Sequence, residues 1–465
     1  MAHSFDVYDH FANEGDYPDF DYEASYQRLA AALACKTVFD GEKTDFREFE
    51  RLQDHIRRSF PHIFEAATFE LIGHSVLICV PGSDPALEPA MLIAHQDVVP
   101  VIPGTEDEWV HDAFSGHIDD EWIWGRGALD IKDMLMAELE ATEYLLATGK
   151  TIKRGIYLAF GEDEEVSSHG ATRVAAAMAE RGMRAAFLLD EGTTTMADAA
   201  DYGAPNTVIS DICLSQKGYL NLKISIAGAG GHSSNPFGGT SLEKLSRAVA
   251  ALCENRPAPQ LTPLVAGTFE ALRGQITEKP FSALVDDVEG NAQAIADAAS
   301  QVRSLYPFVA TTVAVDQVFG SSPAANVMPA DVAAVVNFRL LPGCDVDALL
   351  ADVRRVVAPF GATVEKLHYT PAGRVDSTQG AGYAELKEAL EHFHPGVVFV
   401  PSFVCGGTDS VRYEGICDSI MRICPFRPAP QEEARGVHGV NERISKRCYA
   451  QGTRVLIRFL EATCL

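Results

Sequence analysis

The polar residues best suited to hold a cation stand at the ends of apolar runs. MLIAHQD brings His95 and Asp97 to the end of one such run. IYLAFGEDEE ends in Asp163, Glu164 and Glu165, and AAFLLDEG ends in Asp190 and Glu191. Asp130 lies between the glycine-bracketed turn of GRGALD and a run with helical character. Taken singly, each has an ordinary explanation. Asp130 reads as an N-cap, GEDEE as a solvated loop, and Asp190–Glu191 as a turn. In open α/β sheets, however, ligands bind outside the carboxyl ends of the strands, and there these groups would meet. Carboxylates crowded at one rim raise one another's pKa unless a cation lies among them. Histidine with Asp and Glu at a pocket is the ligand set of a zinc site that keeps an open position. Two metals sharing a carboxylate would polarise a carbonyl and generate hydroxide near neutral pH. A spare Glu could then act as general base, a role worth roughly 10²–10⁴-fold in rate. Spacing alone does not choose between Glu164 and Glu165 for that role.

The elements that would position these groups read as an α/β chain. Residues 22–60 have helical spacing (Tyr26, Leu29, Ala32, Leu33). MLIAH (91–95) reads as a buried strand, and IKDMLMAELEATEYLLATG as a helix stopped at Gly149. GIYLAFG (155–161), GATRVAAAMAERG and RAAFLLD (184–190) continue the order as strand, helix and strand. This β-α-β-α-β order marks a parallel sheet covered by helices. Near Ser215 the character changes. YLNLKISIAG alternates as a half-exposed strand does. A helix (TSLEKLSRAVAALCEN), a further helix around 288–305, an alternating segment (326–343), a helix and a strand (ATVEKLHYT) follow. The expectation is a smaller α+β domain, 215–370, inserted between residues 1–214 and 371–465 of the main domain. The tail returns to α/β character with GVVFVPSFV, SIMRICPF and a C-terminal helix from about Arg443.

Composition narrows the class. A net charge of −27 over 465 residues argues against nucleic-acid or anionic-membrane partners. No apolar run reaches the length of a membrane span. The stretch MAHSFDVYDHFANEGDYPDF has no basic start, apolar core or cleavage site. The ten Cys form no CxxC pair and read as reduced thiols, so a cytoplasmic setting is expected.

The order of motifs resembles a known family. AHQDVVPV, WIWGRGALDIK, GEDEEVSSHGA, LLDEG, GAGGHSSNP, NFRLLPG, GGTDS and VHGVNERI occur in the order of the di-zinc aminoacylase and carboxypeptidase family. The resemblance covers about residues 60–465. It implies a mixed sheet with helices on both faces, and an inserted lid domain that also forms a homodimer. It implies two Zn²⁺ per subunit, with Co²⁺ or Mn²⁺ as possible substitutes in a mixed N/O site. By this resemblance His95 and Asp190 bind one zinc, Glu165 and His438 the other, and Asp130 bridges both. Asp97 fixes the His95 imidazole, and Glu164 is the general base. The peptide after the bridging Asp, Asp130–Ile131, is expected to be cis. His232 would reach the partner subunit's site and stabilise an oxyanion; taken alone it reads as a turn histidine. Asn326 and Arg339 occupy substrate-binding positions, with Arg339 a candidate carboxylate clamp; a strand salt bridge is the alternative for Arg339. Gly406, Gly407 and Thr408 form a loop that could line the pocket. Two departures stand out: Asp133, where many members carry a small residue, and Gln96 within the first motif.

The implied function is hydrolysis of the amide of an N-acyl amino acid or small peptide next to a free carboxylate, releasing an amino acid. Chain length and the segment GHIDDEWIWGRGALD resemble the carboxypeptidase S branch, which includes enzymes of N-fatty-acyl amino acids. The rivals are a dipeptidase or carboxypeptidase proper, a metal-bound inactive homologue serving as a binding protein, and a nucleotide-binding α/β protein. The last would carry a phosphate-binding glycine loop directly after the first strand, whereas GRGALD has only part of that fingerprint and does not directly follow an apolar strand.

Overall fold

The strand Ala90–His95 is buried along its whole length, and its two faces belong to different cores. Ala90, Leu92 and Ala94 pack into the larger apolar cluster, while Met91 and Ile93 pack into another on the opposite face. Period-two alternation with both faces apolar requires cover on both sides. The helices Lys132–Ala147 and Lys446–Cys464 provide it on one face, and His169–Glu180 on the other. The computed structural model describes residues 6–193, 196–322, 324–428 and 436–465.

The strand belongs to a nine-stranded mixed sheet. Its order is Thr68–Ile72, Ser75–Val80, Ile156–Gly161, Ala90–His95, Phe187–Thr193, Ile420–Ile423, Val208–Gln216 and Val397–Val404, with the short Ala197–Asp198 off this path. The three central strands expected from the sequence pair in parallel. The hairpin 68–80 and the Ile420–Ile423/Val208–Gln216 pair are antiparallel, which makes the sheet mixed. No helix among the described residues is long and apolar enough to cross a membrane.

A second sheet of four strands, Thr312–Phe319, Val332–Leu340, Gly218–Ile226 and Thr363–Thr370, is antiparallel throughout. Leu220, Leu222, Ile224 and Ile226 face its own core beneath the helices Ser241–Glu254 and Val346–Val357. The intervening Tyr219, Asn221, Lys223 and Ser225 are half-buried, as the alternation requires.

The insertion expected over 215–370 is not one packing unit. Leu264, Phe269, Leu272, Phe281, Ile295 and Val309 belong to the core of the large sheet, not to that of the small one. The helix Pro263–Leu272 lies on Val397–Val404, the last strand of the large sheet, and Thr268 Oγ1 donates to Pro401 O at 2.7 Å. The physical reason is the sheet edge. An uncovered edge strand invites foreign pairing, and this one is shielded by a helix and interrupted by a proline.

Candidate active site

Asp130 sits where the sequence turns sharply. Gly125 and Gly127 have φ of 158° and 90°. A Cβ on Gly127 would lie 2.8 Å from Val98 Cγ1, so a side chain there would displace the packed wall of the turn. The turn is clamped from a distant part of the chain. Glu442 Oε1 accepts from Gly127 N (3.0 Å) and Leu129 N (2.8 Å), and its Oε2 accepts from Arg126 Nη1 at 2.5 Å. Arg126, fully buried, also donates to the carbonyl of His438 at 3.2 Å. Burial pushes the Glu442 carboxyl up to about 7, against the pull of Arg126 and the Leu129 N–H. Lys132 anchors the far side by donating to Ala32 O and Cys35 O. The Asp130–Ile131 peptide is cis.

Held this way, the Asp130 carboxylate faces two histidines. Its Oδ1 is 3.2 Å from His95 Nε2 and its Oδ2 is 3.1 Å from His438 Nε2. Glu165 Oε2 lies 3.1 Å from the same His438 nitrogen, and Glu191 Oε1 lies 3.7 Å from His95 Nε2. Two triads therefore share one residue: His95–Asp130–Glu191 and Asp130–Glu165–His438, each with its ligand atoms within 4.8 Å of one another. Burial works against ionised Asp130, yet His438 and His95 hold it below the usual carboxylate range. Asp130 and Glu165 in turn push His438 up to about 10. Imidazoles and carboxylates converging with open lone pairs are the donor set of a divalent transition-metal site.

Asp97 and Glu164 take places beside these triads. The Asp97 carboxylate accepts from Glu164 N and Glu165 N, both at 3.1 Å, and its carbonyl accepts from His95 Nδ1 at 2.9 Å. One residue thus fixes the imidazole and the loop that carries both glutamates. Burial pushes the Glu164 carboxyl well above the usual carboxylate range, with Asp409, Asp130 and Glu165 adding to it against His95. Glu164 also lines a cleft of about 490 Å³ that reaches the small sheet. Arg339, Gly407 and Thr408 line the same cleft. Thr408 N and Oγ1 both donate to Gln216 Oε1 at 3.1 Å.

The position expected for Asp190 requires correction. Its carboxylate accepts from Ser410 N at 2.9 Å and Glu191 N at 2.8 Å, and it belongs to neither triad. Neighbouring residues of a strand face opposite sides. Leu188 and Asp190 face the core that holds Tyr413, whereas Leu189 and Glu191 face the side where the helix after Asp130 packs. His232 is exposed on the small pairing of Gly231–His232 with Val327–Met328, Asn326 is exposed in the turn just before it, and neither lines the Glu164 cleft of its own chain. His232 Nδ1 is 2.8 Å from Ser234 Oγ. The two departures from the family pattern are both packed. Gln96 Nε2 donates to His74 O and Phe160 O, and burial pushes the Asp133 carboxyl well above its usual range.

Glu442 and Arg126 were not singled out from sequence. A signal exists in hindsight, since both lie inside conspicuous motifs, but their pairing spans 316 positions.

Residues 91–462 match the model of Peptidase family M20/M25/M40. The chain belongs to this family. Among its relatives, "N-fatty-acyl-amino acid synthase/hydrolase PM20D1" of Mus musculus is 32% identical over 450 residues, covering 94% of this chain and 87% of the relative. "Probable carboxypeptidase S-like 2" of Dictyostelium discoideum is 31% identical over 435 residues, covering 91% and 82%. Among solved structures, the M20 family metallo-carboxypeptidase Sso-CP2 from Sulfolobus solfataricus superposes with a TM-score of 0.68 at 18% identity, covering 94% of this chain and 98% of the other. This membership makes the protein a metal-dependent hydrolase with a mixed α/β catalytic fold.

Proposed function

We propose that this M20 peptidase cleaves the amide of an N-acyl amino acid or small peptide next to a free carboxylate, using two zinc ions. The observation that carries the reading is Asp130, whose two oxygens face His95 and His438 from the two triads. His95, Asp130 and Glu191 would hold one ion, and Asp130, Glu165 and His438 the other. Bound divalent ions supply polarisation of the amide carbonyl and acidification of a water. The remaining work falls to side chains. Glu164 takes the proton from the attacking water and hands it to the leaving amine. Arg339, whose guanidinium lies 4.6 Å from the Tyr219 ring centroid, receives the substrate carboxylate.

The reading includes a homodimer formed through the small sheet, with His232 serving the partner's site. Its support is twofold: His232 is absent from its own chain's cleft, and Val318 and Phe319 are exposed on the edge strand Thr312–Phe319. No disulfide bond joins cysteines among the described residues, which suits a reducing compartment such as the cytoplasm.

The test is release of amino acid from a panel of N-acyl amino acids and dipeptides, with zinc and after chelation. Chelator-sensitive release is expected. Glu164→Gln should lower kcat by roughly 10²–10⁴-fold with two zinc ions retained. Loss of zinc in that variant would reassign Glu164 as a ligand, and no release from zinc-loaded wild-type protein would overturn the reaction.

A further inference from the structure

The cleft beside Glu164 is lined by cationic side chains from two walls. The chain has 65 acidic and 38 basic residues, and several of its surface guanidiniums pair with a carboxylate. Arg181, Arg184, Arg447 and Arg458 all do. Two that line the cleft do not. Arg339 and Arg412 have no carboxylate within 4.0 Å among the described residues, although the cleft they share opens onto Glu164. They come from opposite walls. Arg339 lies on the small-sheet strand Val332–Leu340, directly across from Tyr219, and Arg412 lies on the turn Asp409–Tyr413 of the main domain. Lys217 adds a third cation to the lining, with its ammonium donating to Ala310 O at 2.8 Å. Among the described lining residues Glu164 is the lone carboxylate, and the aliphatic side chains are Val166 and Val411. Such a wall offers little to a long hydrocarbon chain.

Resting on the hydrolase reading above, we infer that the cleft selects dianionic amides: substrates with a second carboxylate besides the one next to the scissile bond, the two anions spanning Arg339 and Arg412. A cleft of about 490 Å³ is of the size that holds a small dicarboxylate. The second carboxylate can come from an acidic amino acid, which puts both anions on the amine side of the amide, or from a dicarboxylic acyl group, which puts one anion on each side. A guanidinium binds a carboxylate through two parallel hydrogen bonds, so an unpaired arginine on each wall is a matched receptor.

The test compares each dianion with its neutral-amide isostere. One pair is N-acetyl-L-glutamate and N-acetyl-L-glutamine; the other is N-succinyl-L-leucine and its terminal amide. Affinities are measured by calorimetric titration of zinc-loaded Glu164→Gln protein, and kcat/KM on the wild type. The dianion of at least one pair should bind roughly fivefold or more tightly, and the pair that responds names the side of the amide carrying the second charge. The advantage should shrink from 0.05 to about 0.5 M salt. Arg412→Ala should collapse the ratio, and Arg412→Lys should restore part of it. Equal affinities within both pairs overturn the inference, as does an unchanged ratio in Arg412→Ala. Preferential binding without hydrolysis of any panel member would uphold the charge preference and sink the proposed reaction. Hydrolysis without preference would do the reverse.

Discussion

Two groups of histidine and carboxylate side chains flank the strand Trp122–Trp124 and the turn that follows it, and they differ in what their lone pairs face. In the first, around Asp130, the carboxylates of Asp130, Glu165 and Glu191 and the ring nitrogens of His95 and His438 face one another from elements far apart in the chain. In the second, His111, His117 and Asp119 also lie within 4.8 Å. There the rings stack, with centroids 3.7 Å apart and planes 21° from parallel. An imidazole binds a cation in its own plane, and two stacked planes do not share one. Asp119 is also occupied, by Glu121 N (2.8 Å), Trp122 N (2.7 Å) and Trp124 Nε1 (2.8 Å). Proximity of the right residue types is thus insufficient. A site needs lone pairs left over after the backbone has taken its share, and at Asp130 they are left over because Glu442 does the turn's hydrogen bonding instead.

The contrast can be broken by substitution. The largest effect is expected from Asp130→Asn. Bound zinc, measured by mass spectrometry of the metal, should fall below one ion per chain, and amide hydrolysis should fall by at least roughly 10³-fold. Retention of two ions would mean that the triads do not share a ligand. Next comes Glu442→Gln, which touches no ligand. Through the turn and Arg126 it should weaken zinc affinity by about 10–100-fold in a chelator competition; unchanged affinity would reduce Glu442 to a packing role. The smallest effect belongs to the second group. His117→Ala should leave zinc content and kcat within about twofold and cost about 1 kcal/mol or less of stability through the lost ring stack. Loss of a zinc equivalent in that variant would erase the distinction between the groups.

Much of this arrangement was legible before any coordinates. The apolar runs ending in His95, Glu165 and Glu191 are local patterns, and each strand's period-two alternation fixes the rim to which its last residues project. The motif order supplied Asp130, His438 and the cis peptide, which no periodicity encodes. Glu191 rather than Asp190 stands beside His95 for a reason of angle. Adjacent residues at a strand end face opposite sides, and which side faces His95 depends on the packing of the strand against its helices. The segment 261–309 packs on the large sheet for a related reason. Its amphipathic helices state that they need an apolar partner, but not which of two sheets provides it.

The sequence by itself determined the α/β alternation, the types of residue at the rim and the cationic character of Arg339 and Arg412, because these are properties of single residues and short windows. The tertiary structure decided which oxygen faces which nitrogen, that Glu191 rather than Asp190 joins His95, and that Glu442 holds the Asp130 turn from 316 positions away from Arg126. Those outcomes depend on distances of about 3 Å between elements far apart in the chain. Such distances are set by the packing of helices and strands against common cores, which no local window contains.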